Sequence, residues 1–106
     1  MKHTFENHFA GTRTGFKHTS TLYIDGREVA TATCYYYNRT WESYEFQRVM
    51  KCATTNAMEQ IENEEIISYK AEHGYKRMTY KRKEAFKKYL QTLPEYAEYT
   101  KIYSAL

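Results

Sequence analysis

The 106-residue chain is predicted to be a single α+β domain: an N-terminal three-stranded antiparallel β-meander followed by a long helix and one or two C-terminal helices. Three observations predict it. Thr, Val, Tyr, Phe and Ile crowd the first 37 residues, where three of the four glycines also lie. Asp25-Gly26 separates two β-prone runs, a strong hairpin signal because both turn residues take positive φ. Beyond residue 40 the apolar residues recur every three to four positions, the spacing of a helix face. Strands first and helices after is the order of an α+β domain. The expected divisions are a meander over 1–37, a helix over 40–73 and C-terminal helices over 79–106, with no linker or repeat between them.

Residues 2–9 are predicted to form the first strand, and Gly11-Thr-Arg-Thr-Gly15 its turn, since glycines flanking polar residues suit a loop or bulge. A two-residue Asp25-Gly26 loop pairs Ile24 with Arg27, Leu22 with Val29, Ser20 with Thr31 and Phe16 with Tyr35. That register puts Phe16, Leu22, Ile24, Val29, Tyr35 and Tyr37 on one face, expected to meet a helix. Tyr23, Ala30, Ala32, Cys34 and Tyr36 fall on the other.

Asn38 or Thr40 is the expected cap of the long helix, because a short polar side chain accepts from the orphan N–H groups of the first turn. From about Trp41, the residues Phe46, Met50, Ala53, Ala57 and Ile61, with Val49 and Met58 beside them, form one apolar stripe that can lie across the sheet. His73-Gly74 is a stop signal, as glycine takes the left-handed position after a helix at little cost. Thr79 is the next expected cap, for a helix over about Tyr80–Thr92 with Ala85, Phe86, Tyr89, Leu90 and Leu93 on its apolar side. Pro94 marks a break or a new first turn. Tyr96, Tyr99, Ile102, Tyr103 and Leu106 then recur at helical spacing. Terminal segments fray unless docked. This last stripe, in a chain with 12 Tyr and 5 Phe, predicts a homodimer.

Composition narrows the function classes. Hydrophobic residues are 42% and charged residues 27%, as in an ordinary globule. No apolar run approaches the roughly 18 residues of a membrane span. The N-terminus has no apolar segment of the secretory kind, so a cytoplasmic chain is expected. Cys34 and Cys52 are then expected as free thiols, and the Asn38-Arg39-Thr40 glycosylation triplet as a chance match. His3, His8, His18 and His73 have no partners at metal-ligand spacing, and a surface or cross-strand role is expected for them. Neither a phosphate-binding glycine loop nor a nucleophile motif is present. The sequence thus predicts no cofactor, no metal site and no enzyme.

The net charge of +3 is unevenly spread. Residues 1–40 carry +2, residues 41–75 carry −4 and residues 76–106 carry +5. The basic run Lys76, Arg77, Lys81, Arg82, Lys83, Lys87 and Lys88 is interrupted only by Glu84, with Tyr75, Tyr80 and Tyr89 interleaved. Spacing sets Lys81 beside Glu84 and Lys88 and leaves Arg82 without an acid at i+3 or i+4. Such a face suits a nucleic-acid backbone, an acidic protein surface, or simply water. The acidic set Glu59, Glu62, Glu64 and Glu65, with Glu42 and Glu45 upstream, either mimics a phosphate backbone or offsets the basic helix. In Tyr35-Tyr36-Tyr37 alternate rings point to opposite faces, so Tyr36 with Tyr23 is a candidate stacking platform on the outer face of the sheet.

The segments Phe9-Ala-Gly-Thr-Arg-Thr-Gly-Phe-Lys-His18 and Tyr37-Asn-Arg-Thr-Trp-Glu-Ser-Tyr44, with the strand-hairpin-helix order, resemble small accessory proteins of phages and mobile elements of Gram-positive bacteria. That group includes anti-CRISPR inhibitors of Cas9-type nucleases. The resemblance implies a non-enzymatic inhibitor in the host bacterial cell, whose partner is a defence nuclease or its guide RNA. Three strands followed by a helix also resembles the second half of a double-stranded-RNA-binding domain. Those domains carry Lys-Lys-x-Ala-Lys at that helix start, where this chain has Thr40-Trp-Glu-Ser-Tyr44. A nucleic-acid contact here would therefore use the basic helix near Lys81–Lys88, as an RNA- or single-strand-binding module.

Overall fold

A computed structural model describes residues 2–37 and 45–106. Within them the elements are β1 (His3–Thr12), β2 (Gly15–Ile24), β3 (Arg27–Tyr37), α1 (Phe46–His73), α2 (Tyr80–Leu90) and α3 (Pro94–Ala105). The strands form one antiparallel sheet in the order β1-β2-β3. The α+β order is as the sequence predicts. The expected caps Asn38 and Thr40, the glycosylation triplet, Trp41 and Glu42 lie outside the described residues. α1 begins at Phe46, the first residue of the predicted stripe and later than the expected helix start, after Glu45 in an extended conformation (φ −125°, ψ 116°).

The hairpin turns separate by backbone chemistry. Asp25 and Gly26 both take positive φ, 50° and 81°, as the Asp-Gly pair predicts. The backbone of Lys2 holds this turn, its carbonyl accepting from Asp25 N–H at 2.8 Å and its N–H donating to Asp25 Oδ1 at 3.0 Å. The first hairpin is tighter than the expected five-residue turn: Thr12 pairs with Gly15, leaving Arg13-Thr14 between the strands. Gly15 is required by close approach, since a Cβ there would clash with the Tyr36 carbonyl oxygen.

The second hairpin departs from the expected register. Ile24 opposes Arg27 and Tyr23 opposes Glu28, but Leu22 opposes Ala30. Val29 is an extra residue, a β-bulge, and every later pair shifts by one. A one-residue shift moves each side chain to the opposite face. Ala30, Ala32, Cys34 and Tyr36 therefore share the inner face with Leu22, Ser20, His18 and Phe16, while Tyr35 and Tyr37 point outward. Tyr36 is buried and stacks on Phe16 at 5.2 Å between ring centroids, which removes it as an exposed platform. The outer face is polar. Thr19 and Thr33 hydroxyls bond at 2.8 Å, Thr21 and Thr31 at 3.1 Å, and Tyr23 donates to Glu6 at 3.0 Å.

α1 lies on the inner face. Its buried Val49, Met50, Ala53 and Ala57 belong to the predicted stripe, and Thr54, outside that prediction, is buried with them. Asn56 Nδ2 donates to the Thr31 carbonyl at 2.9 Å and anchors the helix along β3. Leu22, Ile24, Ala30 and Ala57 form the first core with Tyr99 and Ile102 of α3. The second core joins Tyr69 of α1, Phe86 and Leu90 of α2, and Tyr96 of α3. Tyr96, Tyr99 and Ile102 of the terminal stripe that motivates a dimer are thus covered within the chain, while Tyr103 stays exposed. Phe46, expected in the core, is 40% exposed at the mouth of an aromatic cluster, stacked on His18 at 5.2 Å and Phe9 at 6.3 Å.

His18 is fully buried, so of the two expected roles it takes the cross-strand one and not the surface one, facing Phe9 of β1. Its Nε2–H donates to Asn7 Oδ1 at 2.7 Å, and its ring lies 4.4 Å from that of Phe9. Burial pushes the imidazole pKa below its ordinary 6.5. The unfolded chain then takes up the proton first, so stability from neutral His18 is present above pH 6.5 and is lost as pH falls below it. An NMR titration of the folded protein is expected to place the His18 ring midpoint below 6.5, and a midpoint at or above that value would contradict its burial.

Gly15→Ala is expected to destabilise the fold by about 1–3 kcal/mol in urea unfolding, because the obstructing atoms are backbone. Gly11→Ala, with nothing within 4 Å of the new Cβ, is the matched control and should unfold at the parent's midpoint.

Candidate functional site

The basic run is held on an ordered turn and helix. α1 ends as predicted at Gly74, with φ 67°, and Tyr75 N–H returns to the Lys70 carbonyl at 2.9 Å. Thr79 caps α2, its hydroxyl accepting from Arg82 N–H at 3.4 Å. The chain between these caps is closed by Arg82. Its guanidinium lies 3.9 Å from the centre of the Tyr75 ring and donates to the Arg77 carbonyl at 3.0 Å. Arg82 is therefore a structural clasp, and the sequence signal for this was only the absence of an acid at i+3 or i+4.

The other candidates, Lys76, Arg77, Lys81, Lys83, Lys87 and Lys88, are exposed. Phe86 and Leu90 turn inward and fix which side of α2 faces water. Tyr80 is 78% exposed, and Lys83 and Lys87 follow it at i+3 and i+7, so ring and ammonium groups share one flank. Glu84 pairs with Lys87 at 3.8 Å, not with Lys81 as spacing suggested. This is the one ion pair on the ridge among the described residues.

Lys87 and Lys88 occupy the last turn of α2, where the helix dipole favours cations. Lys81 and Lys83 sit at the opposite end, near a first turn that holds no acid. There the dipole is positive and unpaired N–H groups already favour an anion, so added cations raise the local potential at a cost in helix stability.

The acidic candidates divide into two groups. Glu62 and Glu65 are half-buried and face the other helices. Tyr96 donates to Glu62 at 2.6 Å and Tyr89 to Glu65 at 2.8 Å. Glu59 and Glu64 are exposed beside an open cleft between the β3 bulge and α1, lined also by Glu28, Asn56, Gln60 and Asn63. The four do not form one phosphate-like surface. Tyr23 is half-buried and tied to Glu6, and the exposed outer rings are Tyr35 and Tyr37, which sequence reasoning placed on the inner face.

Among the described residues no group of three His, Cys, Asp or Glu side chains is placed to hold a metal. No described helix is long and apolar enough to cross a membrane. No family model, curated protein or solved structure matches the chain.

Tyr96 is buried, and burial, then the Glu62 hydrogen bond, raises its hydroxyl well above the ordinary 10.0. Tyr99, bonded to Glu95 at 2.8 Å, is raised for the same reasons. The unfolded chain loses these protons first, so the stability they contribute is present below pH 10.0 and lost as pH rises above it. Tyr96→Phe is expected to cost about 1.5–3 kcal/mol at pH 7, the usual loss of a hydrogen bond to a charged group. It should also flatten the fall of unfolding free energy above pH 10.0, measured by urea titration at several pH values.

Proposed function

We propose that the chain is a non-enzymatic binding module that grips the phosphate backbone of single-stranded nucleic acid with the exposed ridge of α2. The observation that carries this reading is the placement of Lys81 and Lys83 near a helix start that holds no acid. A helix arranged for its own stability places carboxylates there. Lys83 and Lys87 add a like-charge pair at i and i+4, which also disfavours the isolated helix. A bound polyanion relieves both penalties. Tyr80 favours nucleic acid over an acidic protein surface, because an exposed ring beside ammonium groups offers a stacking platform for an unpaired base.

The resemblance of residues 9–18 and 37–44 to phage and mobile-element accessory proteins is the basis of a second reading. In it the chain is an inhibitor of a Cas9-type defence nuclease in the bacterial cytoplasm, and the same ridge meets an acidic surface of the effector or competes for its guide RNA.

Fluorescence anisotropy with labelled single-stranded RNA tests the first reading. Affinity should fall with salt at a logarithmic slope of about −0.7 per neutralised phosphate. The triple variant Lys83→Glu, Lys87→Glu, Lys88→Glu should lose binding to all sequences alike, because phosphate contacts position without specifying. Tyr80→Ala should weaken binding about 5- to 150-fold, the range of one stacked base. If free RNA does not bind while the triple variant loses inhibition of a purified Cas9-type nuclease, the second reading replaces the first. Full binding and inhibition by the triple variant, with its circular dichroism unchanged, would leave the ridge a solvated face.

A further inference from the structure

The two cysteines, distant in sequence and unused by the proposed ridge, are brought together where α1 crosses β3. Cys34 lies on the inner face of β3, opposite His18 in the strand register. On α1, Arg48, Cys52 and Asn56 recur every four residues and form one stripe. The stripe engages β3 at Asn56, which donates to the Thr31 carbonyl at 2.9 Å. Cys52, one helical turn before Asn56 on that stripe, faces the inner side of β3 that carries Cys34. Neither thiol is in a disulfide, and both are partly open to solvent.

We propose that Cys34 and Cys52 are a redox-reactive pair, a site at which a small-molecule disulfide such as oxidised glutathione cross-links β3 to α1. One cysteine, as thiolate, attacks the glutathione disulfide, whose S–S bond breaks, and one glutathione leaves and takes up a proton. The second cysteine then loses its proton and attacks the protein sulfur of the mixed disulfide, releasing the second glutathione. Two protein thiols are oxidised to one disulfide, and one glutathione disulfide is reduced to two thiols. Burial, with Cys52 as the next cause, pushes the Cys34 thiol up. The bond closes the chain between residues 34 and 52 and fixes the helix on the strand at the edge of the first core.

The full chain, reduced and then equilibrated with oxidised glutathione, tests this. Mass spectrometry is expected to show a monomer lacking two hydrogen atoms, with no thiol left for a colorimetric thiol reagent. Cys34→Ser and Cys52→Ser should each retain one glutathione, because no resolving thiol remains. Reduced wild-type protein should capture phenylarsine oxide one per chain, a reagent that bridges only neighbouring thiols, and neither variant should do so. The oxidised monomer should melt about 10 °C or more above the reduced one, from the closure of a loop of this length. Two glutathione adducts on the wild type, a disulfide-linked dimer, or two thiols still reactive would overturn the pairing. An intramolecular disulfide with an unchanged or lower melting temperature would overturn its role as a lock.

Discussion

One extra residue in β3 decides how the molecule is assembled. With Val29 as a bulge, the face that meets α1 is built from Ala30, Ala32 and Ser20 beside Leu22, and these are small side chains. Ala53 and Ala57 of α1 oppose them and are fully or almost fully buried. Small residues on both surfaces let a helix lie close to a sheet, where dispersion contacts are dense. Without the bulge, the same helix would meet Thr31, Thr33, Tyr35 and Tyr37, and Thr31 and Thr33 would be parted from their hydroxyl partners Thr21 and Thr19 on the outer face. The bulge thus determines both the core and the polar outer surface.

The helical layer is organised differently. The packing of the helices on one another is rich in tyrosine, and tyrosine is buried well only when its hydroxyl finds a partner. Glutamates provide those partners: Glu62 for Tyr96, Glu65 for Tyr89 and Glu95 for Tyr99. Glu62 and Glu65 of the acidic middle of the chain are therefore internal architecture. This is also why the basic ridge on α2 is not neutralised from within the fold. Glu65 is bonded to a phenol of α2, and Glu62 to one of α3, instead of to a lysine.

The ridge and its clasp express one division of labour. Arg82 spends its charge on the Tyr75 ring and the Arg77 carbonyl, which hold the start of α2 in place. The lysines around it keep theirs exposed. A guanidinium suits the first task because it is planar and can stack while it donates, whereas an ammonium on a flexible stem suits loose, sequence-independent contact with phosphate. Helix stability comes from Phe86 and Leu90 in the second core, and that packing supports the unfavourable charge placement on the other side.

Local chemistry was legible in the residues. The Asp25-Gly26 turn, the stop at Gly74, the Thr79 cap and the α1 stripe each follow from preferences acting over a few positions, and the α+β class follows from their order. The basic ridge was legible for the same reason, since charge and helical spacing are both local. The faces of β3 were not. Asp-Gly specifies the turn but carries no signal for an extra residue three positions later, and period-two alternation then reversed every assignment from Ala30 to Tyr37. Whether Glu62 and Glu65 face water or phenols, whether Arg82 is a clasp or a ligand-binding cation, and whether Cys34 meets Cys52 depend on pairs far apart in the chain. Such contacts follow from register and helix placement, and a one-residue shift in register changes them all at once.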